Sequence, residues 1–272
     1  MTYDQFAADR AEYGYVPARL ISATTLSNVL ITWSLNSSKY GLHTTLKLQG
    51  DFPSSSSWRD SNRDQYSSYG LDMYKRDLLQ SERAEDQLLG LLSSTFWGFA
   101  SGKDSILRFG RALARANWHI VGNARHAPQH VDDILQQLQL TRNAVNLRKY
   151  EAALSEAMKI KFLGMSFASK LVMFMDPERV GVYDNVISGK LKNHPDPQLQ
   201  SLYVNVKYGH AAAKLAQACT FARWCQYCQG VAGELNAAGS QWTDWDGKQY
   251  PWRAVDVERA FFSAPANQGM PL

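Results

Sequence analysis

The sequence predicts a mainly α-helical protein, and three observations carry that prediction. Apolar residues recur at helical spacing through most of the 272 residues. Strand-like patterning is confined to one short element near residues 42–50, "LHTTLKLQG". Hydrophobic residues make up 45% of the chain and charged residues 20%, which suits a globular protein with a sizeable core. No run approaches the length of a membrane span, since "LISATTLSNVLITW" is interrupted by Ser, Thr and Asn. The polar, acidic start "MTYDQFAADRAEYGY" lacks an apolar signal core, so the expectation is an intracellular protein, off the membrane.

Taken in order, "PARLISATTLSNVLITWSL" reads as a helix with Leu20, Leu26, Val29, Leu30 and Trp33 on one side. The stretch Asp51 to Gly70, "DFPSSSSWRDSNRDQYSSYG", reads as a long polar loop whose composition favours disorder over a binding loop; as a binding loop it would offer Trp58, Arg59 and Arg63 to a nucleic acid. "LDMYKRDLLQSERAEDQLLGLLSSTFWGF" continues as one helical register with Leu88, Leu89, Leu91, Leu92 and Phe96 inward. "DSILRFGRALARANW" follows with Asp104 as its N-cap. "HVDDILQQLQL", "LRKYEAALSEAMK" and "HAAAKLAQACTFARWCQYCQGVAGEL" are rich in helix formers, and "DVERAFFSA" is a last helix capped by Asp256. The expected organisation is an N-terminal helical segment with a polar loop over 1–70. A helical region follows over 71–272, with a hairpin at 150–175, the two forming one unit.

The formal charge of +4 is concentrated. Between Arg142 and Lys192 there are nine Lys and Arg against five Asp and Glu, so the rest of the chain balances to zero. That is a solvated helical surface or one facing phosphates. Inside the window, "IKFLGMSFASKLVMFMDPERVGVYDNVI" reads as a turn, a helix, a short loop and a new helix. Gly164 is the residue expected to take a positive φ. The first amides of the second helix, at Met165 and Ser166, are left without intrahelical acceptors and suit a phosphate. Phe167, Ala168, Leu171, Val172 and Met175 share one face of that helix; Ser166, Ser169, Lys170 and Met173 share the other. Asp176-Pro177 ends the helix, and Asp184 stands where the next needs an N-cap. A cap alone and a solvated lysine account for both charges as well as a site does.

This run resembles the helix-hairpin-helix DNA glycosylase superfamily, including its oxoguanine glycosylase branch. The superfamily's Leu-Pro-Gly-Val-Gly, followed two residues later by lysine, falls on Ile160, Lys161, Phe162, Leu163, Gly164, Met165 and Ser166. Eighteen residues beyond the lysine position, where one branch has its aspartate, stands Asp184. "FASK" and "MDPERVGVYDNVI" are similar to a bacterial group with the oxoguanine-glycosylase fold, in which "FWGFASG" and "WRAVDVERAFF" correspond to a Trp-Gly motif and a terminal helix. The pattern's Pro and first Gly are replaced by Lys161 and Phe162, and its Schiff-base lysine by Ser166.

The resemblance implies a bilobed helical fold acting on double-stranded DNA as a monomer without a cofactor. Residues Lys161, Leu163, Gly164, Met165 and Ser166 would grip the backbone. Asp184 would stabilise the sugar cation and orient water as a flipped base departs. Loss of the Schiff-base lysine implies a monofunctional hydrolase, unless Lys170, one turn on, takes that role. Trp97 and Phe99, flanking Gly98, are the candidate walls of the base pocket. The base itself is open: an oxidised guanine, an alkylated base, or a modified base in foreign DNA such as a phage genome, which would make the role defensive. A non-catalytic helix-hairpin-helix DNA-binding protein is the alternative. Cys219, Cys225 and Cys228, with His210 upstream, lie within a strong helical pattern and are read as core residues, with no bound metal.

Overall fold

A computed structural model of the chain describes residues 2–23, 31–37, 39–40, 42–51, 66–100, 108–207 and 209–265. Trp58, Arg59, Arg63 and the expected cap Asp104 lie outside the described residues. The fold is mainly α. A first helix, α1 (Tyr3–Ala11), leads into the strands β1 (Arg19–Ser22), β2 (Ile31–Ser37) and β3 (Leu42–Asp51). The strands form an antiparallel sheet in the order β1-β3-β2. Helices α2 (Ser68–Gln80), α3 (Ala84–Ala100), α4 (Phe109–Val121), α5 (Val131–Asn146) and α6 (Tyr150–Ala157) follow. Next come α7 (Met165–Met175), α8 (Asn185–Lys192), the single turn α9 (Pro197–Gln200) and the long α10 (Ala211–Ala237). A small ribbon of β4 (Trp242–Thr243) and β5 (Gln249–Tyr250) precedes the last helix, α11 (Ala254–Ser263).

Three expectations are corrected. The helix expected around Leu20 to Trp33 is two strands: Leu20 and Trp33 are buried, but they belong to β1 and β2, both paired with β3. Among the described residues of the first seventy, helix is confined to α1 and the start of α2, and the rest of the secondary structure is strand; Leu26, Val29 and Leu30 lie outside the described residues. The β-branched Ile31 and Thr32 beside Trp33 favour a pleated surface, and β3 supplies the long central partner that a local periodicity cannot reveal. The single helix through residues 71–99 is two, broken at Ser81, whose hydroxyl turns to Asp86 (2.7 Å) instead of continuing the ladder. Asp256 does not cap α11; it lies inside the first turn, where it pairs with Arg10 (2.9 Å) and Arg253 (2.6 Å).

That ion pair opens a buried charge network that ties the first helix to the last. Asp72 of α2 accepts from the two terminal nitrogens of the Arg259 guanidinium at 2.7 Å, from Arg253 at 2.8 Å and from the Tyr15 hydroxyl at 3.0 Å. All are buried. Bidentate geometry and several hydrogen bonds per carboxylate are what make such burial tolerable. The result seats α1 on α11 and places α2, α3 and α7 behind them, with Phe174, Leu92 and Trp97 in the shared core.

Candidate active site

The hairpin is present, with its backbone solved differently from the expectation. Gly164 is extended (φ −81°, ψ 176°) and N-caps α7, while Phe162 takes the left-handed conformation at φ +70°. Phe162 is the position at which the superfamily pattern has its first glycine, so a side chain here occupies a left-handed backbone position that favours glycine. Its ring is held by Trp118 (5.8 Å) and His119 (6.0 Å). Leu163 and Met165 are buried and the Leu163 amide donates to the Ile160 carbonyl (3.2 Å), so of the five residues expected at the backbone grip these two present no side chain. Gly164 is exposed, Ser166 half-buried. Lys161 is exposed, and its ammonium leans on the carbonyls of Ala127 and Pro128 (3.3 and 3.4 Å).

The local cation surplus is largely used inside the fold. Arg142 bonds the Gln80 and Ser81 carbonyls and Glu82, Arg179 pairs with Asp176, and Lys190 donates to the carbonyls of Phe261, Phe262 and Ala264. A different basic surface emerges from residues 108–131, which contain no Asp or Glu but carry Arg108, Arg111, Arg115 and Arg125. This acid-free run was legible in the sequence and is the signal that charge counting over the hairpin alone misses. It borders a cavity of about 600 Å³ lined by Phe99, Arg115, Trp118, His119, Arg125 and Phe162 among others. Arg115 lies 3.8 Å over the Trp118 ring.

The two ionisable groups singled out from the sequence meet. Lys170 Nζ is 3.1 Å from Asp184 Oδ2 and 3.4 Å from the Ser166 carbonyl. Asp184 is the N-cap of α8, its Oδ1 accepting from the Val186 and Ile187 amides at 2.9 and 3.2 Å. Burial pushes this carboxyl up. The Lys170 ammonium and the two amides outweigh burial, and the group ends below the usual carboxylate range. The supposed outer face of α7 is not solvated: Ser169 and Met173 are fully buried and Lys170 is only 8% exposed. Ser169 instead joins α7 to the strand-like segment carrying Asp184, donating to the Tyr183 carbonyl (3.0 Å) and accepting from its amide (3.1 Å). Gly98 of α3 explains the close approach on the other side. A Cβ there would stand 2.6 Å from Phe167 Cε1 and 3.3 Å from Lys170 Cδ.

Of the expected pocket walls, Phe99 stacks on Phe167 at 4.2 Å and lines the cavity described above. Trp97 does not line it. It is buried against Tyr15 (5.2 Å) and Phe174 (5.1 Å), a core position fixed by its place on the inward side of α3. Sequence reasoning did not single out Glu258, an acid fully buried on α11 that burial pushes up. It also missed Tyr13, which feels both Glu258 and Asp184. Only an acid placed among buried apolar neighbours, in "AVDVERAFF", hinted at the first. Cys225 and Cys228 are buried in α10 while Cys219 is exposed, and His210 caps α10 by accepting from the Ala213 amide (3.2 Å). Among the described residues no group of three or more His, Cys, Asp or Glu is placed to hold a metal ion, and no helix is long and apolar enough to cross a membrane.

Arranged this way, the site offers one ionised carboxylate, one ammonium and, in the first turn of α7, the Met165 and Ser166 amides, which have no intrahelical acceptor. A family model described as "Putative 8-oxoguanine DNA glycosylase OGG-like protein" matches residues 48–262. No curated protein and no solved structure matches the chain.

Proposed function

The chain belongs to the family described as "Putative 8-oxoguanine DNA glycosylase OGG-like protein", and from that premise we propose that it hydrolyses the bond between a flipped base and its deoxyribose, leaving an abasic site. The observation that carries the reading is the Asp184 carboxylate, fixed at the α8 N-terminus immediately beyond the hairpin and 3.1 Å from Lys170. A carboxylate kept ionised beside the sugar stabilises the positive charge that develops at C1′ and orients the attacking water. The hairpin amides and the Arg-rich α4 surface hold double-stranded DNA through its phosphates. The Phe99 cavity takes an unstacked base.

Asp184→Asn keeps the cap and removes the charge. It is expected to lower base release about a thousandfold or more while DNA binding stays within a few fold, measured by alkali-labile nicking and by a binding titration. A panel of duplexes with oxidised, alkylated and phage-type modified bases, with released base identified by mass spectrometry, assigns the substrate and separates repair from defence. No base released from any duplex would leave a DNA-binding module as the reading.

The short Lys170–Asp184 distance favours a second reading, in which Lys170 attacks C1′ and forms an imine. Borohydride then traps a covalent adduct that Lys170→Ala loses. An active enzyme with no adduct is a monofunctional hydrolase.

A further inference from the structure

We propose that Ser169 is a positioning residue for base release: acting through the backbone of Tyr183, its hydroxyl sets how far Asp184 stands from Lys170. The inference rests on the glycosylase reading of the site. Ser169 immediately precedes Lys170 in α7, and Tyr183 immediately precedes Asp184. The Ser169–Tyr183 link is therefore the neighbouring rung to the Lys170–Asp184 ion pair.

The chain itself creates the need for such a link. Residues 180–184 form neither helix nor strand, yet Val180, Val182 and Tyr183 are buried. Buried backbone groups outside a helix or sheet require partners from elsewhere. Ser169, fully buried, supplies both for Tyr183, donating to its carbonyl at 3.0 Å and accepting from its amide at 3.1 Å. The Ser166 carbonyl, at 3.1 Å within α7, is the hydroxyl's other acceptor. Trp224 of α10 donates to the Val182 carbonyl (2.9 Å). The Tyr183 hydroxyl donates to the Leu202 carbonyl (2.7 Å) and accepts from the Val204 amide (2.9 Å). Those bonds tie the segment to α10 and to the chain after α9, whereas the Ser169 bonds tie it to α7.

The distinction matters for the carboxylate. The amides of Val186 and Ile187 fix the Asp184 carboxyl on α8. They do not fix it against Lys170, which belongs to α7. Two hydrogen bonds from one α7 hydroxyl to the preceding residue restrain both the distance and the orientation of that approach. Without them Asp184 keeps its cap but drifts from the ammonium that helps hold its carboxyl below the usual range. The other titratable groups that its charge reaches are Glu258 of α11 and Tyr13, both pushed up by burial.

The test is single-turnover base release between about pH 4 and 7, with the full chain and the duplex that the panel identifies, beside a DNA-binding titration. The readout is the acid limb, the fall in rate as Asp184 takes a proton. Ser169→Ala is expected to bind DNA within a few fold of wild type and to release base about tenfold more slowly. Its acid limb is expected about one pH unit higher, because the carboxyl has lost part of the ammonium's attraction. Ser169→Cys keeps a weaker donor at the same place and is expected to fall between the two. Tyr150→Phe removes the hydroxyl bonded to Asp176 (3.0 Å) beyond the other end of α7 and is expected to leave the limb where it is. A displaced limb in Ser169→Ala and not in Tyr150→Phe supports the proposal. An unmoved limb in Ser169→Ala, whatever its rate, or an equal displacement in Tyr150→Phe, overturns it and leaves the glycosylase reading intact. Where Ser169→Ala does not fold, Ser169→Cys is read by the same rule. A wild type that releases no base from any duplex removes the glycosylase reading and this inference together.

Discussion

Lys75 shows how far burial alone can move one residue. Its ammonium reaches only the Tyr15 hydroxyl (3.0 Å) and the Leu71 carbonyl (3.4 Å), among the rings of Phe174, Tyr15 and Trp97. Burial outweighs the attraction of Asp72 and lowers its value to about 7. Between that value and the ordinary lysine range the unfolded chain binds the extra proton and the folded one does not. The wild type therefore loses stability as pH falls through this interval and loses no more below it. Lys75→Met is expected to gain stability relative to wild type by a few kcal/mol at pH 6, with the gain fading as pH rises toward 10. Urea unfolding at a series of pH values measures it, and a pH-independent difference would contradict the burial account.

At the scale of elements, the crossing of α3 over α7 decides whether the Lys170–Asp184 pair exists. Gly98 lets Phe167 and the stem of Lys170 approach, and the Phe99–Phe167 stack locks the crossing. Gly98→Ala would force the Phe167 ring aside. It is expected to cost about 1–3 kcal/mol of stability and to lower base release at least tenfold, since small displacements of reacting groups are expensive. Thermal unfolding and the base-release assay read the two effects separately; normal values in both would mean the crossing is not what places Lys170. The hairpin makes a related point. Its glycine-like conformation sits at Phe162 rather than Gly164, because the Phe162 ring gains Trp118 and His119 as partners that offset the left-handed strain.

Across the whole molecule, the buried network of Asp72, Arg253, Arg259, Asp256 and Arg10 joins the two ends of the chain around the site. Asp72→Ala leaves two buried guanidinium groups short of a partner. It is expected to destabilise the fold by about 3–5 kcal/mol, read from the urea midpoint. A smaller loss of stability would show that α11 holds its place without the network.

The sequence by itself determined the mainly helical class, the hairpin with its following N-cap aspartate, and the strand from Leu42, because those are local matters of periodicity, capping and turn chemistry. Resemblance in thirty residues was enough to point to the family that the chain belongs to. Tertiary structure alone decided the rest. The strands β1 and β2 exist because β3 pairs with them, Trp97 is core because Tyr15 and Phe174 close over it, and Lys170 reaches Asp184 because Gly98 lets α3 press on α7. Glu258 has its raised value chiefly because residues from distant parts of the chain bury it and exclude water from it. Burial and the field of remote charges are properties of the packed chain, and no local pattern encodes them.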